Sequence, residues 1–357
     1  MSVTQEFEFV VQWHLTERCN LRCSHCYQDG SRADELSRAE VLDGLDEIRD
    51  LFSSWSEDHG LTLAPGFNIT GGEPLLRNDL FDVLGVLADR GWDAFVLTNG
   101  TLVTAGTARR LAGLGVKGVQ VSIEGPEAVH DAFRGPGSYQ ASVAGIRSLL
   151  DAGLTVTVNT TLSEINAGAF FELADIVARL GVQRLGFSRL VPSGRGGGLA
   201  GRILPAAGVR DLYRRIFSLS YEGMKLVTGD PVASCMRSGE DGSGDRGDVP
   251  VGGCSAGVAG LTILSDGTIV PCRRLPVSLG NLRTDALREV WAMSPVLEAL
   301  RDRSRYEGKC RTCTRWAACR GCRAIAYAAS GLGGQASLLA EDPQCPVEIA
   351  ECGMRNE

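Results

Sequence analysis

From Glu6 to about Val191 the apolar residues follow two alternating rhythms. Short β-rich runs, EFVVQWHLT, GFNIT, DAFVLTN, GVQVSIE, TVTVNTT and RLGFSRLV, are separated by stretches whose apolar positions return at helical spacing. The first rhythm marks strands and the second amphipathic helices. In LSRAEVLDGLDEIRDLF, for example, Val41, Leu45, Ile48 and Leu51/Phe52 form one apolar face, and Ser37 with Glu40 has capping-box spacing. NDLFDVLGVLADRG, TAGTARRLAGLG, SYQASVAGIRSLLDAG and AGAFFELADIVARLG repeat the pattern, several closing on a glycine suited to a helix C-cap. Short strands alternating with helices predict parallel βαβ units and an α/β fold. Six such strands suit a partial (β/α)6 TIM-like barrel better than a closed eight-stranded one, although the alternation by itself also allows an open sheet.

Beyond the last strand the texture changes. The loop PSGRGGGLAGR (Pro192 to Arg202) is followed by a helical segment, AGVRDLYRRIFSLSYEG. SGEDGSGDRGDVPVGG, Ser238 to Gly253, has almost no apolar residues and predicts a flexible linker. GLTILSDGTIVPC predicts a hairpin turning on Asp266-Gly267, and ALREVWAMSPVLEALRD a helix interrupted at Pro295. The organisation expected is a barrel domain over residues 1–225, a helix end and linker over 226–253, and a cysteine-rich extension over 254–357.

Composition narrows the function. The 357 residues are 44% hydrophobic and 22% charged, ordinary for a globular chain. A net charge of -7 argues against nucleic acid as the main partner. No run of apolar residues is long enough for a membrane span, and MSVTQEFEFVVQWHL lacks the marks of a secretion signal, so a cytoplasmic location is expected. Twelve cysteines in a reducing compartment point to metal binding or catalysis rather than disulfides. They are clustered: Cys19, Cys23 and Cys26 come first, and the other nine lie between Cys235 and Cys352.

The segment CNLRCSHCYQ therefore carries the first chemical signal. Three thiolates fall one short of a structural zinc site. They suit a cubane iron–sulfur cluster in which three irons are ligated by protein and the fourth is left to bind a substrate. The loop directly follows the first strand, on the face where βα-barrels carry their active sites. The next strand ends in Gly71-Gly72-Glu73-Pro74. There two glycines allow a ligand close to the backbone, Glu73 offers an acceptor for an ammonium group, and Pro74 suits a helix start.

The CX3CX2C spacing of Cys19, Cys23 and Cys26, with GGEP on the following strand, resembles the radical S-adenosylmethionine (AdoMet) superfamily. The resemblance implies a 4Fe–4S cluster whose open iron binds the amino and carboxylate groups of AdoMet, and cleavage to a 5′-deoxyadenosyl radical that abstracts a substrate hydrogen. It places His25 near the adenine and GGEP at the methionine amino group. Ser122 and Glu124 fall at the methionyl carboxylate and ribose, and Arg134 at the carboxylate. Asn159, Leu190 and Val191 fall beside ribose and adenine.

The later cysteines resemble the SPASM extension. Cys254, Cys272 after Gly267, the run Cys310, Cys313, Cys319 and Cys322, and a distant Cys345 match its pattern. The resemblance implies two auxiliary 4Fe–4S clusters, for three in all. Cys310, Cys313, Cys319 and Cys345 would hold one, and Cys254, Cys272 and Cys322 belong to the other. The position where that second set expects another cysteine is Gly260. Either Cys235 supplies the ligand from across the linker, or an iron stays open. Cys352 is spare. The residues after Cys272 are Arg273 and Arg274 rather than the aspartate of sulfatase maturases, which argues against sulfatase maturation. If they face the cavity they favour a carboxylate on the substrate.

The expected activity is modification of a ribosomally made peptide, with an external low-potential electron donor. Because eighteen residues precede Cys19, a separate leader-binding protein is expected to deliver that peptide. The alternative is a tetrapyrrole or another small carboxylate-bearing molecule. The non-enzyme alternative, an iron–sulfur electron carrier, explains the cysteines but not an open iron beside GGEP.

Overall fold

The strand β1 (Phe9–His14) sits near the middle of one sheet rather than at its border. The chain is seen in a computed structural model that describes residues 9–30, 34–59, 65–237 and 248–347. On one side β1 pairs in parallel with β2 (Pro65–Thr70). The series continues in parallel through β3 (Asp93–Thr98), β4 (Gly118–Ser122), β5 (Val156–Leu162), β6 (Arg184–Arg189) and a short β7 (Lys225–Val227). The six anticipated strands are β1 to β6. β7 is three residues long, too short to show a period.

On its other side β1 pairs in parallel with β8 (Gly260–Ile263), from the cysteine-rich segment. β9 (Thr268–Val270) and β10 (Gly280–Asn281) extend that border antiparallel. The result is a ten-stranded sheet in the order β10-β9-β8-β1-β2-β3-β4-β5-β6-β7. Among the described residues β1 and β7 do not pair, so the curved sheet stays open. The extension thus continues the barrel sheet instead of forming a sheet of its own. Most of the expected linker, residues 238–247, lies outside the described residues, as does Cys352.

Local signals explain the elements. Ser37 and Glu40 form the reciprocal cap, Ser37 N donating to Glu40 Oε2 at 2.7 Å and Glu40 N to Ser37 Oγ at 3.3 Å. They open the helix Arg38–His59, whose Val41, Leu45, Ile48, Leu51 and Phe52 are all buried. That face covers β1, where Phe9 meets Phe52, Trp55 and Trp291 edge-on at 5.0–5.4 Å. Trp291 belongs to the helix Leu287–Met293, so this aromatic nest also ties the extension to the barrel. Ser294 ends that helix and caps the next, Pro295–Arg301, which begins on the proline as anticipated. The hairpin is present with a longer turn than expected. Leu264 N donates to Thr268 O at 2.8 Å, leaving three residues, Ser265 to Gly267, in the connection.

One buried ion network joins the end of β6 to the cysteine-rich extension. Arg189, at the end of β6, has a fully buried side chain. It donates to Asp230 at 2.7 and 2.9 Å and to Asp342 at 2.8 and 3.1 Å. Tyr213 Oη also donates to Asp230, at 2.6 Å, and Cys322 N to Asp342, at 2.8 Å.

Candidate active site

The C-terminal ends of β1 to β6 surround one cavity, with an empty volume of about 930 Å3 including its open mouth. Cys19, Cys23 and Cys26 all line it, with His25, Gly71, Gly72, Ser122, Arg134, Asn159, Leu190 and Val191. Glu73, Pro74 and Glu124 stand behind that wall. Tyr27, Thr98, Asn99, Arg195, Arg273 and Arg274 line it as well.

The cysteine loop has little regular structure and is held by its neighbours. Ser24 N donates to Phe133 O at 2.9 Å, and Gly196 N donates to Cys26 O at the same distance. Arg195 Nε donates to Cys23 O at 3.2 Å. The glycine-rich loop after β6 is thus a clamp on the cysteine loop, a role its composition did not disclose. Gly194 has φ +54°, and a Cβ there would stand 2.2 Å from Tyr27 O. Gly194→Ala must therefore displace the cysteine loop, at a backbone cost of about 1–3 kcal/mol. The expected result is a lower iron content per chain after reconstitution, read by iron quantification, with the far end of the sheet unaffected.

GGEP packs against the cysteine loop and the end of β3. A Cβ on Gly72 would lie 2.3 Å from Arg18 O. Gly72 N donates to Thr16 O at 2.7 Å, and Glu73 N to Arg18 O at 2.8 Å. The chain that approaches this glycine is the protein's own cysteine loop. The Glu73 carboxylate faces inward, accepting from Thr98 Oγ1 at 2.7 Å and Asn99 N at 2.8 Å. Burial pushes its pKa up, against those donors. The carboxylate thus props the end of β3. Pro74 opens a short 3-10 turn, Pro74–Leu76.

Glu124 is likewise turned inward. It accepts from Arg134 Nε at 3.0 Å and Thr161 N at 2.8 Å, and lies 3.3 Å from His25 Nε2. Burial opposes its ionisation, but His25 and Arg134 outweigh that and hold its carboxyl well below the usual range. Glu124 thus orients Arg134 and His25. Arg134 in turn reaches Cys23 Sγ at 3.7 Å, and the His25 ring stands edge-on to Phe133 at 5.2 Å.

Burial pushes the thiols of Cys19 and Cys23 up, Arg134 opposing it at Cys23. Iron must displace those protons when it binds. Among the described residues no three His, Cys, Asp or Glu side chains converge tightly enough for a single metal ion. Three thiols spread along one cavity wall suit a larger cluster, and that donor set fits an iron–sulfur centre.

The later cysteines fall into two neighbourhoods. Cys322 lies within electrostatic reach of Cys254, and both Cys322 and Cys272 lie within that of Arg274. Cys345 is near both Cys310 and Cys319. Cys235 corrects an expectation. On the helix Pro231–Arg237, its buried thiol meets Cys319 and lies by Cys313, with Arg315 Nη1 3.8 Å from its sulfur. It therefore joins the second neighbourhood and does not complete Cys254, Cys272 and Cys322.

Sequence reasoning also passed over two polar groups. Asn99 Nδ2 donates to Asn20 Oδ1 at 2.9 Å and lies 4.0 Å from Cys19 Sγ. The strand-end position of Thr98-Asn99 was its available signal. Tyr27 Oη lies 3.4 Å from Nε2 of the buried His14, whose pKa is lowered to about 3 by burial and by Arg273. Nothing in the spacing announced that pair.

An open parallel sheet whose first strand end carries three thiols facing a strand-end cavity, with cysteines gathered beyond, defines a radical AdoMet enzyme with an iron–sulfur extension. The chain belongs to that superfamily. The family model described as Radical SAM superfamily matches residues 13–187, and the SPASM model, an iron–sulfur cluster-binding domain, matches residues 254–314. Among relatives, the AdoMet-dependent heme synthase of Methanosarcina barkeri is 33% identical over 94% of this chain and 95% of its own length. The protein of the same name from Nitratidesulfovibrio vulgaris is 31% identical over 94% and 91%. The fold also matches that of Streptococcus suis SuiB bound to its precursor peptide SuiA. The TM-score is 0.70 at 16% identity, over 98% of this chain and 76% of SuiB. Iron–sulfur clusters and AdoMet are thus its cofactors. Among the described residues no helix is long and apolar enough to cross a membrane.

Proposed function

We propose that this enzyme abstracts a hydrogen from a carboxylate-bearing tetrapyrrole. Cys19, Cys23 and Cys26 would hold the AdoMet-binding 4Fe–4S cluster, and the two later cysteine groups would hold auxiliary clusters. The observation that carries the substrate class is cationic: Arg195, Arg273 and Arg274 line the same cavity as the three thiols. A guanidinium pairs with a carboxylate in a planar, two-bonded geometry. AdoMet brings one carboxylate, and Arg134 is already engaged by Glu124, so three further guanidinium groups suit a ligand with several acid side chains. The heme synthase names of the relatives agree with that chemistry.

Bound AdoMet and its cluster would supply the 5′-deoxyadenosyl radical. The protein's part is to position and to exclude water. Ser122 and Asn159 offer polar contacts to a ribose, Leu190 and Val191 an apolar wall to an adenine, and the arginines fix the substrate acid groups. A low-potential donor from outside the chain would provide the electron. The fold likeness to SuiB with its peptide supports a second reading, a peptide substrate presented by a separate leader-binding protein.

The test is anaerobic reconstitution with iron and sulfide, reduction, and quantification of 5′-deoxyadenosine with a propionate-bearing tetrapyrrole, with short peptides, and with neither. The expected result is 5′-deoxyadenosine formation coupled to a mass change in the tetrapyrrole. Coupling to peptides alone would overturn the tetrapyrrole reading. Clusters without any 5′-deoxyadenosine under all three conditions would favour an electron carrier.

A further inference from the structure

Arg273 and Arg274 are neighbours in sequence, and both line the cavity, yet they face different chemistry. The Arg273 guanidinium lies over the Tyr27 ring, 5.7 Å from its centroid. Arg274 is turned toward the extension. Its Nη1 donates to Arg189 O at 3.3 Å, and it sits in the tight turn that Leu275 N closes on Cys272 O at 2.8 Å, with Cys322 and Cys272 within its electrostatic reach. Its Nε is buried without a hydrogen-bond partner. One cation therefore lines the cavity and stands within electrostatic reach of two thiols of the nearer auxiliary neighbourhood, the one that Cys235 does not complete.

We infer that Arg274 is a positioning residue that joins the substrate cavity to the auxiliary centre of Cys254, Cys272 and Cys322, and that its fixed charge raises the reduction potential of that centre. The inference rests on the reading that those three thiolates hold a cluster. The physical reason is direct. Reduction adds negative charge, and a guanidinium beside the ligating sulfur favours the more negative state; charge and hydrogen bonds to sulfur are main determinants of cluster potentials. Burial lessens the solvent screening that would otherwise weaken the effect. A centre of raised potential next to the cavity is suited to accept an electron from a substrate radical. A substrate carboxylate paired with the same guanidinium would partly cancel its charge, so substrate occupancy and potential are linked reciprocally.

The test needs no substrate, which separates its failure from failure of the proposed function. The full chain is reconstituted and titrated with reductant while each cluster is followed by electron paramagnetic resonance. The signal lost in Cys272→Ala identifies the relevant centre. Arg274→Gln should move that midpoint to more negative potential, Arg274→Lys should move it less, and Arg273→Gln should leave it in place. With substrate present, Arg274→Gln should raise the ratio of 5′-deoxyadenosine formed to product formed. A midpoint unmoved by Arg274→Gln, or moved equally by Arg273→Gln, overturns the inference. Should Arg274→Gln fail to take up iron, Arg274→Met supplies the answer: the midpoint should again fall to more negative potential, and an unmoved midpoint is equally fatal.

Discussion

Alanine at Cys19, Cys23 or Cys26 reduces 5′-deoxyadenosine formation to background and removes one cluster's complement of iron, while the chain stays folded. The loop carrying these thiols is held by backbone bonds from Ser24 to Phe133 and from Gly196 to Cys26, none of which needs a sulfur. Loss of a thiol therefore removes a ligand rather than a fold, and two thiolates cannot present three irons. The change should be all-or-none at each of the three positions. Cys313→Ala behaves differently: some AdoMet cleavage persists, but substrate turnover is lost, because its thiol belongs to the distant neighbourhood with Cys319 and Cys235. Circular dichroism and iron quantification separate ligand loss from unfolding. Turnover retained equally in both kinds of variant would remove the idea that the later clusters carry electrons for the reaction.

Asp342→Ala should destabilise the protein by about 3–5 kcal/mol, the range found when one partner of a buried ion pair is removed. Arg189 has no exposed surface with which to find water, and its remaining partners are Asp230 and Gln344. The carboxylate of Asp342 also accepts from the backbone of Cys322 and Gln344, so apolar replacement leaves those donors stranded. The usual rescue of a buried ion pair by hydrophobic substitution should fail here for that reason. Denaturant unfolding gives the energy, and iron quantification should show parallel loss, since Cys322 and Cys345 flank this residue. Acid should mimic the mutation. Burial works against ionisation of Asp342, but Arg189 prevails and holds its carboxyl below the ordinary range. Its contribution is therefore present above the unfolded value, about 3.9, and is lost as pH falls through the lower folded value.

Much of this was legible before any coordinates. Strands β1 to β6, the Ser37–Glu40 cap and the break at Pro295 follow from local spacing, because each depends on residues within one or two turns. The three cysteines and the paired glycines are local in the same sense. The inward turn of Glu73 and Glu124 was not, since the donors that claim those carboxylates arrive from Thr98, Asn99, Arg134 and Thr161 on other strands and helices. Cys235 was misplaced because a short helix carries it to Cys319, a contact unrelated to spacing. The pairing of β8 with β1 was hidden most completely, because an edge reads the same in sequence whichever strand will cover it.

That pairing has a consequence for how the protein is made. Val10 opposes Gly260 across the sheet, 250 positions later in the chain. At roughly 5–20 residues per second of synthesis, the flank of the first strand waits on the order of 12–50 s for its cover, a bare edge open to other chains in the meantime. The cysteine loop hangs from the end of that same strand. Yields in a foreign host should therefore respond to temperature and chaperone supply during synthesis as well as to the stability of the finished fold.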